Sequence, residues 1–391
     1  MGKGRVAMAM SGGVDSSTAA AILREEGFDV VGFSMLLWDH RQDGPAAAES
    51  QSGRCCSTDD MHDAREVAAR LGFPFYVADF REEFRRIVVR RFIEDYRAGM
   101  TPSPCVLCNS ALKFHHLAEL ALNVGASHIA TGHYARIGRR DADGRYLLLE
   151  ARDKEKDQSY FLFELKQEQL ARAMFPLGNL GKEEVRRIAG RHGLPVAGKP
   201  DSQEICFIPD NDYAAFIERH HETVAGEPWP RSFAGGRITD GAGRTLGLHS
   251  GIHHFTIGQR RGLGIAHTAP LYVLELRPEE NVVVVGERSQ LAKSRCRVTR
   301  PNWISVPELA APLRVKAKIR SRHPAADASI EPLDCGDVSV VFDTPQAAIC
   351  PGQACVFYQE ETVVGGGWIA RPAGQPDSGG DGFMKSPCAP V

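Results

Sequence analysis

The chain has 391 residues, enough for about two to three domains of roughly 100 to 200 residues, which excludes a single small module. It is 43% hydrophobic and 25% charged, the balance of a globular protein that buries sizeable cores, so global disorder and a fibrous repeat are excluded. Its 47 Lys and Arg against 49 Asp and Glu give a formal charge of −2, which disfavours a purely electrostatic nucleic-acid binder and leaves basic faces to be sought segment by segment.

Up to about residue 200 short apolar runs alternate with longer amphipathic ones. Val6–Met10, Val30–Trp38 and Phe75–Phe80 read as strands, and Thr18–Glu26, Thr58–Leu71 and Glu82–Tyr96 as the helices between and after them. This is the rhythm of a parallel sheet covered by helices, an α/β fold. Gly99–Asn109 follows as a proline-containing loop, then a helix at Ser110–Val124 and a strand at His128–Tyr134. Beyond residue 205 one helix, Asp212–His220, precedes a glycine-rich stretch of short strands and turns from Gly226 to Gly264. From Leu271 the chain reads as strands at Tyr272–Leu276, Val282–Val285, Leu313–Ile319, Val338–Phe342, Ala354–Tyr358 and Val363–Ile369, the spacing of a small β-barrel. The expected division is a catalytic domain at 1–205, a connecting domain at 206–270, a β-barrel at 271–371 and a disordered tail at 372–391, rich in Gly, Pro, Ser and Asp.

No apolar run approaches the roughly 18 to 20 residues of a membrane span, and Met1–Met10 is too short for a secretory signal, so a cytoplasmic protein is expected. Ten cysteines are far too few for a disulfide scaffold, and in that compartment they are reduced unless they bind or react.

Directly after the first strand stands Ser11-Gly12-Gly13-Val14-Asp15-Ser16-Ser17, leading into a helix. Glycines let backbone approach a ligand closely, and the amides and hydroxyls at the helix start offer donors to an anion. No lysine follows the glycines, so this is not the G-x-x-x-x-G-K-[ST] phosphate loop. The alternative is an ordinary Gly-Ser turn with an N-cap. The string SGGVDSS resembles the PP-loop of N-type ATP pyrophosphatases, which bind ATP and form adenylates; that resemblance implies Mg²⁺ held with the help of Asp15.

Cys105 and Cys108 lie three residues apart in Thr101-Pro102-Ser103-Pro104-Cys105-Val106-Leu107-Cys108-Asn109. A thiol near a helix N-terminus has its reactive thiolate form favoured, which makes Cys108 a candidate nucleophile. Cys206 sits far along the chain in Asp201-Ser202-Gln203-Glu204-Ile205-Cys206-Phe207-Ile208. The bland reading of C-x-x-C is half a structural zinc site, but no second such pair occurs. Cys55 and Cys56 are adjacent rather than spaced to chelate, and Cys296, Cys335, Cys350, Cys355 and Cys388 read as packing or surface thiols. The pairs His115-His116, His220-His221 and His253-His254 read as surface or core residues, because adjacent histidines do not normally share a metal.

SGGVDSS, TPSPCVLCN, ATGHYAR, KDQSYFLF, DSQEICFI and GQRRGLGI occur in the order found in tRNA-specific 2-thiouridylases of the MnmA type, and Pro351-Gly352-Gln353-Ala354 and Gly365-Gly366-Gly367 extend the similarity to the β-rich end. The resemblance implies an adenine-nucleotide alpha-hydrolase-like (Rossmann-like) domain, a small connecting domain and a C-terminal β-barrel. It implies ATP-dependent adenylation of the wobble uridine 34 of tRNA at O2, then replacement of that oxygen by sulfur. Carried over motif by motif, Cys206 bears a persulfide received from a donor or relay protein, and Cys108 is the nucleophile or the resolving thiol. A transient Cys108–Cys206 disulfide then needs an external reductant.

The same resemblance places Ala9, Met10, Ser11, Gly12, Gly13, Val14, Asp15, Ser16, Met35 and Gly132 at ATP. His133, Lys156, Asp157, Gln158 and Gln353 fall at tRNA contacts, as do Arg320 and Ser321 by a looser match. Ser103, Pro104 and Cys105 fall against the target base. Cys105 stands where part of the family has aspartate, so Cys105, Cys108 and Cys206 are also a possible ligand set for a [4Fe-4S] cluster, and metal-free persulfide chemistry and the cluster both stand at this point.

Arg314, Lys316, Lys318, Arg320 and Arg322 recur every second residue, with Val315, Ala317 and Ile319 between the first four. On a strand this makes a cationic face suited to a phosphate backbone, or a merely solvated one. Gln259-Arg260-Arg261 and the helix bearing Arg85, Arg86, Arg90 and Arg91 are further candidates. Two other readings compete: a nitrogen-transferring PP-loop synthetase, which leaves the Cys108 and Cys206 motifs without a task, and a non-catalytic ATP-gated RNA-binding protein.

Overall fold

A computed structural model describes residues 3–39, 58–200, 205–208, 212–226 and 228–372. The expected tail from residue 373 onward, Asp201–Glu204, and Cys55, Cys56 and Cys388 lie outside the described residues. Two compact units emerge: Met1–Val88 with Pro104–Phe216 and Glu361–Val363, and Val89–Ser103 with Ile217–Glu360 and Val364–Val391.

The first unit is built on five parallel strands in the order β3-β2-β1-β4-β7, with β1 at Lys3–Ala9, β2 at Phe28–Leu36, β3 at Phe75–Asp79, β4 at His128–Ala130 and β7 at Ala173–Met174. Helices α1 (Val14–Glu25) and α2 (Thr58–Leu71) cover it, and α2 has the bounds read from sequence. Val6, Met8, Ala19, Ala20, Leu23, Val30, Val67, Val185 and Ala189 form its core, so the sheet is packed on apolar helix faces. The strand order reverses at β1: β2 leaves to one side and β4 lies on the other. Ligands of open α/β sheets bind beyond the carboxyl ends of the strands at such a reversal.

Two local readings change. The helix expected from Ser110 begins at Pro104, runs to Leu107 and continues as a π-helical segment, Cys108–His116, before Leu117–Asn123. Proline lacks only an N–H that the first helical turn leaves unbonded anyway, so Pro104 starts the helix instead of delaying it. Strands β5 (Ala135–Arg139) and β6 (Tyr146–Glu150) form a hairpin that the sequence reading did not contain.

In the second unit, β10 (Tyr272–Arg277) and β11 (Val282–Gly286) pair with β8 (Gly236–Thr239) and β9 (Thr245–His249) in the order β10-β11-β8-β9. These two strands, read from sequence with the terminal barrel, thus belong to a separate sheet, around Ile238, Ile252, Val273, Val283 and Val285. The barrel consists of β12 (Ala292–Trp303), β13 (Leu313–Lys318), β14 (Ala326–Pro332), β15 (Val338–Ala347), β16 (Ala354–Gln359) and β17 (Thr362–Ile369). Its order is β12-β15-β14-β13-β16-β17, and β12 pairs with β17 to close it. Closure gives β12 and β17 a paired neighbour on each side within the barrel. Among the described residues no helix is long and apolar enough to cross a membrane.

Candidate active site

Between β1 and α1 the chain turns through Ser11, Gly12 and Gly13. Gly12 has φ +71°, and a Cβ there would stand 2.2 Å from the carbonyl oxygen of Asp60. Only glycine fits both the backbone and the space. Within the loop the Ser11 amide donates to Ser16 Oγ at 3.1 Å, the two hydroxyls lie 3.1 Å apart, and Ser16 Oγ donates to the Gly13 carbonyl at 3.2 Å. The loop is therefore preformed, with the amino end of a 12-residue helix behind it.

Gly132 follows β4 and closes the other side of the strand reversal. A Cβ on it would meet the Ser16 nitrogen at 2.7 Å and the Asp15 carbonyl carbon at 2.8 Å. Met10 is held by its amide to Phe33 O and by its carbonyl to Ser34 Oγ, both at 2.7 Å. Ala9 ends β1, Val14 is buried in the first turn of α1, and Met35 is buried on β2. The residues expected at the nucleotide thus cluster at the reversal, apart from Met35, which lies one strand over.

Two lysines that sequence reasoning missed complete this loop. Lys182 Nζ lies 2.7 and 2.9 Å from the two Asp15 carboxylate oxygens, and Tyr134 Oη donates to Asp15 Oδ1 at 2.8 Å. Lys199 Nζ donates to the Gly12 carbonyl at 3.1 Å and to Asp60 and Asp63, each at 2.6 Å. Burial acts to lower the Lys199 pKa, but its bonds to the two carboxylates outweigh it and hold the ammonium above its ordinary range. The glycine loop carries no lysine of its own, and the fold brings two beside it.

The thiols stand in the same unit. Cys105 is exposed in the first turn of the helix from Pro104, whereas Cys108 is buried one turn on. The expectation that Cys108 sits before a helix N-terminus is therefore corrected, since the helix potential fades beyond the first turn. Its helix is fixed to the Lys156–Phe163 motif and the residue after it, with Asn109 Nδ2 donating to Phe161 O at 3.2 Å and Ser110 Oγ to Glu164 Oε2 at 2.8 Å. Cys206 is half-buried, and its neighbour Phe207 packs with ring centroids 5.3 Å from Phe84 and 6.4 Å from Trp38.

Of the expected tRNA contacts in this unit, the Gln158 side-chain oxygen and the Asp157 carboxylate are bonded internally. Gln158 Oε1 accepts from the Tyr134 amide at 3.0 Å, and Asp157 accepts from the Ala151 amide at 2.9 Å and from Ser159 Oγ at 2.8 Å. Lys156 is half-buried, and Pro104 is buried. His133 is half-buried, bonded through Nδ1 to Thr131 Oγ1 at 2.7 Å, and burial with the nearby Lys113 charge holds its pKa well below the usual histidine value.

In the second unit Ser103 is buried, and Gln353 Nε2 donates to the carbonyls of Thr101 and Pro102 at 3.0 and 2.8 Å. The alternation of β13 is as expected, with Val315 and Ala317 buried, and Ile319 just past its end is buried too. The charge is not: Arg314 pairs with Asp343 at 2.6 Å and Lys316 stands opposite Asp327. Moreover, β13 ends at Lys318, so Arg320, Ser321 and Arg322 lie beyond the strand, and Arg320 Nη2 donates to Ala347 O at 3.4 Å. Of the other basic candidates, Arg260 and Arg261 are exposed, as is Arg86, while Arg90 and Arg91 pair with Glu94 and Asp95 and Arg85 lies 3.8 Å from Glu82.

Three family models match in succession: a tRNA methyl transferase HUP domain over residues 4–210, a tRNA methyl transferase PRC-barrel domain over 231–287 and an aminomethyltransferase beta-barrel domain over 293–369. The chain is 51% identical over 366 residues to the tRNA-specific 2-thiouridylase MnmA of Koribacter versatilis (strain Ellin345), covering 93% of this chain and 98% of that one. It is 51% identical over 370 residues, with the same two shares, to the tRNA-specific 2-thiouridylase MnmA of Solibacter usitatus (strain Ellin6076). Among solved structures, an NMN synthetase from Francisella tularensis aligns with 59% of this chain and 80% of its own at TM-score 0.32 and 15% identity.

Proposed function

The chain belongs to the MnmA family of tRNA-specific 2-thiouridylases, and on that premise we propose how its residues carry out the reaction. It is a tRNA-uridine 2-sulfurtransferase: ATP adenylates O2 of uridine 34, and sulfur then replaces that oxygen, giving 2-thiouridine, AMP and pyrophosphate. The observation that carries this reading is that one compact unit contains the glycine loop at the strand reversal, with its two lysines, and both Cys108 and Cys206.

A carbonyl oxygen is a poor leaving group, and adenylation converts it into one. The loop amides and Ser16 receive the phosphates, Gly132 leaves room for them, and Lys182 and Lys199 are the cations beside the loop, to be exchanged from Asp15 and from Asp60 and Asp63 onto the phosphates when nucleotide binds. Asp15, already placed between Lys182 and Tyr134, is the residue to hold Mg²⁺, which when bound neutralises charge on the departing pyrophosphate.

Sulfur arrives on Cys206 as a persulfide from a donor protein. Its terminal sulfur attacks C2 and AMP leaves with the original oxygen. The Cys108 thiolate then attacks Sγ of Cys206; the bond to the transferred sulfur breaks, and its electron pair goes to that sulfur to give the thiocarbonyl. The resulting Cys108–Cys206 disulfide is returned to two thiols by an external dithiol. Cys105, Cys108 and Cys206 are the donor set that a [4Fe-4S] cluster would use; the metal-free route needs only Cys108 and Cys206 and is the one proposed.

The tRNA substrate, met in the cytoplasm, binds through its backbone to cations that make no ion pair among the described residues, Lys318 and Arg320 among them, with uridine 34 turned out of its stack. The test is to assay Cys206→Ser and Cys108→Ser for 2-thiouridine and, separately, for ATP-dependent AMP release on tRNA. Loss of thiolation with tRNA binding intact supports the scheme. Wild-type thiolation by Cys206→Ser refutes it.

A further inference from the structure

Away from that site, the second unit gathers three metal-ligating side chains for which the reaction has no use. Glu218 lies in the last turn of the Tyr213–His220 helix, and His253 and His254 end the short 3-10 turn Ile252–His254. The sequence pattern argued against neighbouring histidines sharing a metal. Here their rings lie 4.2 Å apart at 36°, and both present Nε2 to one carboxylate oxygen: His253 at 3.0 Å and His254 at 3.3 Å from Glu218 Oε1. The three ligand atoms all lie within 4.8 Å of one another.

Bonds of about 2.0 to 2.1 Å in a tetrahedral zinc site put neighbouring ligand atoms about 3.3 Å apart, so the cluster has the spacing of such a set. Its surroundings also suit one. His253 is fully buried, with its ring 4.3 Å from Phe233 and 5.8 Å from Trp229, whereas His254 and Glu218 are 32% and 45% exposed. One ligand is thus held rigidly and the open side admits a metal and its fourth ligand, a water. Two imidazoles and a carboxylate select a borderline transition metal over Mg²⁺ or Ca²⁺.

We propose that Glu218, His253 and His254 form a zinc site that ties the end of the Tyr213–His220 helix to the 252–254 turn. It serves as a structural clip and stands independently of the thiolation chemistry. A second histidine-rich group, His115, His116 and Glu119, lies in the other unit and has no fully buried member.

The test uses the full chain, stripped with a chelator under reducing conditions and titrated with Zn²⁺ against a chromogenic competitor, then with Co²⁺ for its spectrum. His115→Ala in the background removes the rival group. Stoichiometric binding is expected, with visible d–d bands of nitrogen and oxygen ligation, and a zinc-dependent rise in melting temperature. Glu218→Gln and His254→Ala, both at partly exposed positions, should each weaken binding by more than the about 10- to 100-fold typical of an outer-shell change and abolish the melting shift. Circular dichroism confirms that both variants fold. Unchanged affinity in both variants, sulfur-to-cobalt charge-transfer bands, or no stoichiometric binding would overturn the proposal.

Discussion

Lys182 reaches Asp15 across 167 residues of sequence and grips both of its carboxylate oxygens, at 2.7 and 2.9 Å. A phosphate loop with a lysine in its own motif carries its charge locally; this one imports it. Replacing Lys182 with Gln is expected to slow ATP-dependent AMP release by about 10²- to 10³-fold, the scale for removing one preorganised charge stabiliser. Tyr134 still holds Asp15, so tRNA affinity should not change. Single-turnover AMP release and tRNA binding, measured side by side, check this.

Gly132 is a second, steric test of the same pocket. Gly132→Ala places a methyl group 2.7 Å from the Ser16 nitrogen, and is expected to cost about 1 to 3 kcal/mol of stability and most ATP affinity. Gly190→Ala, in the Lys182–Arg191 helix with no atom within 4 Å of the added carbon, should instead stabilise by about 0.5 to 1 kcal/mol. Denaturant unfolding and nucleotide titration of the two variants give the comparison.

Charge on β13 predicts an order of effects on tRNA. The hydrogen-bonded partner Arg314 holds the Asp343 carboxyl below its usual range, so the pair is already neutral. Lys318, by contrast, stands opposite Val356. Lys318→Gln should weaken binding and reduce the slope of log affinity against log salt by about 1, while Arg314→Gln does much less and Asp343→Asn strengthens binding. Filter binding over a salt series distinguishes the three.

Asp95 provides a pH signature of the fold. Burial raises its pKa from 3.8 to about 6, with Arg91 opposing the shift. The native state therefore holds this proton where the unfolded chain has lost it. The group's stabilising contribution is complete below pH 3.8, falls as pH rises toward 6 and is absent above that, about 3 kcal/mol at most. Melting temperatures of Asp95→Asn should gain on those of the native chain between these pH values and run parallel to them at higher pH.

Much of this architecture was legible from local pattern. The alternation from Val6 to Tyr96 gave the parallel sheet, and strand-loop-helix context marked the phosphate loop. Strands β12 and β14 escaped because AKSRCRVTRPNW and ADASIEP lack an apolar run; they are strands because their neighbours in the closed barrel pair with them. Lys182 and Lys199 were not singled out, since nothing local in the sequence ties them to Asp15 or Gly12. The cationic stripe was visible, but Asp343 and Asp327, which neutralise part of it, are set by barrel register and not by sequence proximity. Glu218, the third member of the cluster with His253 and His254, lies 35 residues earlier than His253, so the grouping could not be read from the pair alone.

In the proposed reaction sulfur passes to tRNA from Cys206, and Cys108 releases it. Peptide mass analysis after loading with an isotopically labelled persulfide donor, before and after addition of ATP and tRNA, tests it most directly. Labelled sulfur is expected on the Cys206 peptide, then on uridine 34 after the addition, with a Cys108–Cys206 disulfide left behind, and with label trapped on the base and Cys206 in Cys108→Ser. Labelled 2-thiouridine formed with no label ever on Cys206 would contradict it.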